Sequence, residues 1–169
     1  MIIDDVNSAG SSECNGSTWS LFTDQVMGGI SQGTLAREMV CGQPALRMRG
    51  LVSLENNGGF VQMARDLTPG GGAIDARAFI GVEIDVTGNG ESYGCHLRTL
   101  ATLRPWQSYR HGFPTTQRWT TLRLPFAEFV GHRIDVPLDL SRLRRIGLVA
   151  IGRQFQADLS VSRVAFYGT

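Results

Sequence analysis

This 169-residue chain has little of what builds a metal or redox centre. It holds no Cys-x-x-Cys pair: Cys14, Cys41 and Cys95 are odd in number and widely spaced. Neither a zinc site nor a redox dithiol is expected, and buried reduced thiols are the simpler reading. His96, His111 and His132 stand far apart, without metal-ligand spacing, so no metal and no cofactor is expected. No apolar run reaches about eighteen residues, which argues against direct membrane insertion. Met1-Ile-Ile-Asp-Asp5 lacks the basic and apolar regions of a secretory signal and the arginines of a transit peptide, so a cytoplasmic location is expected. The formal net charge is +1 and the sixteen basic residues are scattered. Without a basic stripe or an acidic tail, nucleic acid is not an expected partner.

Catalytic signatures are scarce as well. There is no Gly-Lys-Ser/Thr phosphate loop. Gly88-x-Gly90 invites a dinucleotide reading, but the third glycine would fall at Tyr93 and the residues that follow look like a strand. A hairpin turn is expected there. No Gly-x-Ser-x-Gly elbow occurs. Glu83 and Asp85 share a strand face, where solvated outward residues are a simpler reading than a glycosidase pair. No catalytic residue is assigned, and the expectation is a protein that is not an enzyme.

What the chain does have is glycine and alternation. Its 21 glycines punctuate short apolar segments, 42% of residues are hydrophobic and 18% are charged. That composition is globular, and the rhythm is that of strands joined by turns. Ile80-Gly-Val-Glu-Ile-Asp-Val86 is the best strand, with Ile80, Val82, Ile84 and Val86 on one side. Ala45-Leu-Arg-Met-Arg49, Phe60-Val-Gln-Met-Ala64 and Arg118-Trp-Thr-Thr-Leu-Arg-Leu124 alternate likewise. Val130 to Leu140 reads as an irregular loop with a short helical turn after it. About ten strands and no long helical period predict an all-β fold. A two-sheet antiparallel β-sandwich of jelly-roll type, one domain over residues 1–169, fits best.

Two places stand out within that frame. Asp24-Gln-Val-Met-Gly-Gly-Ile-Ser31 has paired glycines flanked by turn formers. It reads either as a buried corner or as a loop lining a binding surface, with Val26 and Met27 expected to anchor it in the core. The second is a polar constellation. His96 and Arg98 share a face opposite Tyr93, Cys95 and Leu97; Arg110 lies one strand on, near Trp106; Gln62 alternates outward from Val61 and Met63. If the strands are neighbours, Gln62, His96, Arg98 and Arg110 line one sheet face able to grip a carboxylate, phosphate, sugar or partner loop. The bland alternative is a solvated sheet face. Trp19, Trp106 and Trp119 are each expected in the core rather than as ligand platforms.

These segments together resemble the complex I intermediate-associated protein 30 family. The matching pieces are Trp19, Asp24 to Ser31, Asn57-Gly-Gly-Phe60, Gly88-Asn-Gly-Glu-Ser-Tyr93, Trp119, Leu124-Pro-Phe-Ala-Glu-Phe129 and the closing run Ile146 to Phe166. The resemblance implies a galactose-binding-like β-sandwich and a chaperone-like assembly factor whose partner is a protein, such as respiratory complex I subunits or intermediates. A carbohydrate or small-ligand binding module is the alternative. Many relatives carry arginine a few residues after the Gly-Gly-Phe; here that slot is Ala64, with Arg65 adjacent.

Overall fold

The computed structural model describes residues 1–6 and 18–169. Cys14 lies outside the described residues. Among the described residues twelve strands follow one another: β1 (Ile2–Asp5), β2 (Ser20–Thr23), β3 (Gln32–Val40), β4 (Gln43–Val52), β5 (Phe60–Asp66), β6 (Gly81–Gly88), β7 (Ser92–Thr99), β8 (Ser108–Pro114), β9 (Thr120–Pro125), β10 (Val130–His132), β11 (Leu143–Ile151) and β12 (Phe155–Tyr167). They form two antiparallel sheets. The first has the order β3-β4-β12-β6-β9 with β1 beside β12; the second has the order β10-β8-β7-β11-β5-β2. The all-β sandwich expected from the alternation is the architecture found. The remaining helical segments are single 3-10 turns, and among the described residues no helix is long and apolar enough to cross a membrane.

The core forms where the inward faces of the sheets meet. From the first sheet come Met48 and Val52 on β4, Val82, Ile84 and Val86 on β6, and Leu159, Val164 and Phe166 on β12. They face Val61 and Met63 on β5, Cys95 and Leu97 on β7, Tyr109 on β8 and Ile146 and Leu148 on β11. All are buried, so removal of this apolar area from water is the main stabilising term. β12 is central and long enough to serve two partners on one side: its first half pairs with β4 and its second half with β1. Gly33 and Gly50 face each other across β3 and β4, and a Cβ at Gly50 would lie 2.1 Å from the Gln32 carbonyl oxygen.

Four local expectations are corrected. Gly88 to Gly90 is no hairpin: β6 belongs to the first sheet and β7 to the second, so the turn is a corner between sheets. It is held by the Tyr93 hydroxyl, which donates to Asn89 Oδ1 (2.7 Å) and accepts from the Asp158 N–H (2.9 Å). Ile80 precedes its strand and is exposed, while Val82, Ile84 and Val86 are buried as read. Val130–His132 is a strand, paired with Ser108 to Arg110 of β8. Cys95 is buried, but Cys41 is exposed at the β3–β4 turn with φ +47°, because Cys41 and Gly42 both take left-handed conformations there.

Candidate functional site

The outer face of the second sheet carries a cleft of about 720 Å³. Gln62, His96, Arg98 and Arg110 all line it. The register explains why. Reading across the strands, Arg110 pairs with His96, His96 with Gly147, and Gly147 with Ala64. Two residues along, Gly112 pairs with Gly94, Gly94 with Val149, Val149 with Gln62, and Gln62 with Phe22. Strand pleating puts alternate side chains on one face, so these two rows share the outer surface. Their glycines keep the floor low. The His96 ring lies over Gly94, where a Cβ would be 3.1 Å from its Nε2. The Gln62 amide lies over Gly147, where a Cβ would be 2.7 Å from its Oε1.

Each polar side chain has a distinct environment. His96 is 9% exposed, and its ring makes no hydrogen bond among the described residues. Burial, reinforced by the charge of Arg110 and by His132, pushes its pKa down to about 3, so the ring is neutral at physiological pH. Arg98 donates through one terminal nitrogen to the carbonyls of Thr102 and Arg104, both at 3.0 Å, and so ties down the 99–107 loop. Arg110 donates from Nε to Ser108 Oγ at 2.8 Å. Burial lowers the pKa of both arginines, helped at Arg98 by Arg144 and Arg145 and at Arg110 by Arg133. Arg145, missed from the sequence, also lines the cleft; it pairs with Asp66 at 3.2 Å and lies 5.0 Å from the Phe22 ring centre. Its outward position follows from the register of β11 with β7, which no local pattern displays.

Two lips border the floor. One is the 99–107 loop, where Trp106 is 53% exposed against the core position expected for it. Trp19 and Trp119 are half-buried; their indole N–H groups reach Asp4 and the Val40 carbonyl. The other lip is the Asp24–Ser31 segment, whose two readings both hold in part. Asp24 is fully buried. Its carboxylate accepts from the Ser31 N–H (2.9 Å), the Ser31 hydroxyl, and the N–H groups of Gly59 (2.6 Å) and Phe60 (3.3 Å). Burial pushes its pKa up, and these hydrogen bonds outweigh that and hold it below the usual carboxylate range. Gly29 and Gly58 pack against the carboxylate on either side, where a Cβ would come within 2.5 Å of it. The separate motifs Asp24 to Ser31 and Asn57 to Phe60 are therefore two halves of one knot. Val26 and Met27 do not enter the core: they are 75% and 62% exposed and line the cleft. The knot supplies the anchorage they were expected to give, which frees them for the rim.

The cleft lining contains Arg98, Arg110 and Arg145 and, among the described residues, neither Asp nor Glu. No group of three His, Cys, Asp or Glu side chains among the described residues could hold a metal ion. Ala64, the slot where the resemblance implies arginine, sits on the floor. Arg65 points the other way, buried 3.9 Å from Asp4 and 5.8 Å from the Trp19 ring centre.

Solved structures of carbohydrate-binding modules share this fold. The family 11 module of cellulosomal cellulase Lic26A-Cel5E of Clostridium thermocellum matches at 13% identity and TM-score 0.73, covering 100% of this chain and 94% of that one. The family 11 module from Clostridium thermocellum in complex with a β-1,3-1,4-mixed-linked tetrasaccharide matches at 13% identity and TM-score 0.73, over 99% and 95%. The family 30 module of cellulosomal cellulase Cel9D-Cel44B of Clostridium thermocellum matches at 16% identity and TM-score 0.55, over 97% and 91%. At these identities the likeness speaks for the fold alone. A comparison with curated proteins returns no match. The family model of Complex I intermediate-associated protein 30 matches residues 6–161, which includes both halves of the Asp24 knot and the whole cleft floor, and the chain belongs to that family.

Proposed function

We propose that this chain is a non-catalytic binding protein that holds a protein partner during assembly of a respiratory complex. It works as one domain over residues 1–169, in the cytoplasm, with the cleft as its gripping surface. The observation that carries this reading is the convergence of Gln62, His96, Arg98 and Arg110 on one cleft. Guanidinium groups recognise planar acceptors. A neutral histidine without a hydrogen-bonded carboxylate or nucleophile makes no acid–base pair. Exposed Val26, Met27 and Trp106 on the lips suit a protein surface, where aromatic and methionine side chains form contact cores. The family's description, complex I intermediate-associated protein, supports a protein as the partner.

The test is deletion of the gene in its own organism, followed by NADH:quinone activity and complementation with wild type or with a Trp106→Ala, Arg110→Gln double variant. Reduced activity, restored by wild type only, is expected. Unchanged activity after deletion would remove the assembly role.

A second reading, a carbohydrate-binding module, is favoured by one specific feature. Trp106 stands exposed at the cleft edge as sugar-stacking platforms do, and a structural neighbour is described with a tetrasaccharide. A glycan array with the same double variant as control separates the two.

A further inference from the structure

The cleft is polarised, and the two ends ask for different chemistry. At the β7–β8 end stand Arg98 and Arg110, both half-buried. Three of the four other partly buried arginines meet acids: Arg47 lies 2.7 Å from both Glu38 and Asp158, Arg163 lies 2.8 Å from Glu83, and Arg145 lies 3.2 Å from Asp66, while Arg144 donates to the Thr99 carbonyl. Neither Arg98 nor Arg110 forms an ion pair with a carboxylate among the described residues, and the Arg98 Nε is buried without a hydrogen-bond partner. Half-buried like charges without a counter-ion are costly, and an arriving anion relieves that cost. Toward the β5–β2 end the lining is mostly apolar, with Ala64, Val149, Phe60 and Phe22 below and Met27 and Val26 above; its polar members are the neutral Gln62 and Arg145, whose charge is already met by Asp66 at 3.2 Å. From β8 to β5 is three strand spacings, about 14 Å, the length of roughly four residues of extended chain.

We infer that the cleft takes an acidic–aliphatic peptide segment, its carboxylates on Arg98 and Arg110 and its apolar side chains on the Ala64–Val149 floor between Phe22 and Met27. This rests on the reading of the cleft as the gripping surface of a protein-binding domain. A neutral glycan fits less well. Gln62 and the neutral His96 ring offer acceptors for its hydroxyls, but it brings no charge to Arg98 and Arg110, and Ser108 Oγ already accepts from Arg110. An acidic glycan would meet the arginines and could stack a ring on Trp106, but the opposite lip of Val26 and Met27 suits flexible apolar side chains better.

The test uses fluorescence anisotropy with the full chain and end-capped labelled hexapeptides. The acidic probe is Glu-Asp-Glu-Leu-Phe-Leu, and the neutral probe is Gln-Asn-Gln-Leu-Phe-Leu. Tetragalacturonate and cellotetraose serve as competitors, and backbone amide shifts of Gly94 and Gly147 report cleft occupancy. The acidic peptide is expected to bind about tenfold or more tighter than the neutral one, to weaken as salt rises, and to lose most of that margin in Arg110→Gln. Arg118→Gln, an exposed change outside the cleft, should leave binding unchanged. Melting curves of both variants report folding, and partial rescue by Arg110→Lys separates lost charge from lost structure. Equal affinity for both peptides with shifted cleft amides would overturn the charge inference and leave the cleft reading standing. Binding of tetragalacturonate or cellotetraose without the acidic peptide would replace the peptide with a glycan. No shift at Gly94 or Gly147 with any probe would overturn both readings.

Discussion

Replacing Asp24 tests whether the Asp24 knot holds the corner. Four donors converge on its carboxylate, two from Ser31 and one each from Gly59 and Phe60. In Asp24→Ala these donors lose their acceptor inside a fully buried site. A hydrogen bond to a charged group is worth about 1.5–3 kcal/mol singly, but four around one carboxylate do not add. Leaving a buried donor without its acceptor costs about 1–3 kcal/mol, and four such donors, less than additive, give an expected loss of about 3–5 kcal/mol. For a chain of this length each kcal/mol lowers Tm by about 2–4 °C, so calorimetry should show a drop of about 6–20 °C. Asp24→Asn keeps the shape and one acceptor oxygen but turns an amide donor toward backbone N–H groups, so an intermediate loss is expected. The pH dependence separates charge from shape. The folded pKa of Asp24 lies below its ordinary value of 3.8, so the unfolded chain takes up its proton first as pH falls. The charge contribution is complete above the unfolded pKa and is lost as pH drops from there through the folded value. Asp24→Asn should lack that part of the acid slope. A Tm within about 2 °C of wild type for Asp24→Ala at pH 7 would refute the knot, since that shift corresponds to no more than about 1 kcal/mol.

His96 is linked to pH in another window: its folded pKa is about 3, so the unfolded chain binds the extra proton between the ordinary value of 6.5 and about 3. Stability should fall across that window by up to about 1.4 kcal/mol per pH unit, and His96→Gln, followed by urea titration at several pH values, should flatten the slope although His132 shifts the same way. Gly50→Ala drives a Cβ to 2.1 Å from a backbone oxygen and should cost about 1–3 kcal/mol or more, whereas Gly147→Ala meets only the movable Gln62 amide and should leave Tm nearly unchanged while weakening cleft binding. Similar Tm values for the two variants would contradict this contrast. Tyr93→Phe removes the hydroxyl bridging Asn89 and Asp158, and chemical denaturation should register about 1–2 kcal/mol.

Whether a strand shows in the sequence depends on its place in the sheet. Strands with partners on both sides carry their alternation openly: β6 buries Val82, Ile84 and Val86, and β7 buries Tyr93, Cys95 and Leu97. The ten anticipated strands lack β2 and β10, which are the two edges of the second sheet. Ser20–Thr23 and Val130–His132 are four and three residues long, too short to show a period of two. The Gly88–Gly90 turn differs from the expected hairpin for a related reason. A tight glycine turn looks alike whether the next strand pairs beside the last or crosses to the opposite sheet, and only long-range pairing separates the cases.

The same reasoning explains why four of the cleft residues were legible while its walls were not. Gln62, His96, Arg98 and Arg110 follow from alternation on interior strands plus one assumption, that those strands are neighbours; β8 and β7 are adjacent, β7 and β11 are adjacent, and β5 follows. Arg145 needed the register of β11 against β7, and Trp106 needed the Arg98 hydrogen bonds that fold the 99–107 loop over the sheet. The Val26–Met27 lip needed more. Apolar residues in a loop ordinarily anchor it, and that inference fails here because a buried carboxylate between two glycines does the anchoring. Under the proposed reading of the cleft, Asp24 would link stability to recognition: the change that loosens the corner also loosens the lip. Peptide binding measured on Asp24→Asn, at a temperature where it remains folded, should weaken even though Asp24 itself does not line the cleft. Unchanged affinity would show that the lip keeps its shape without the knot.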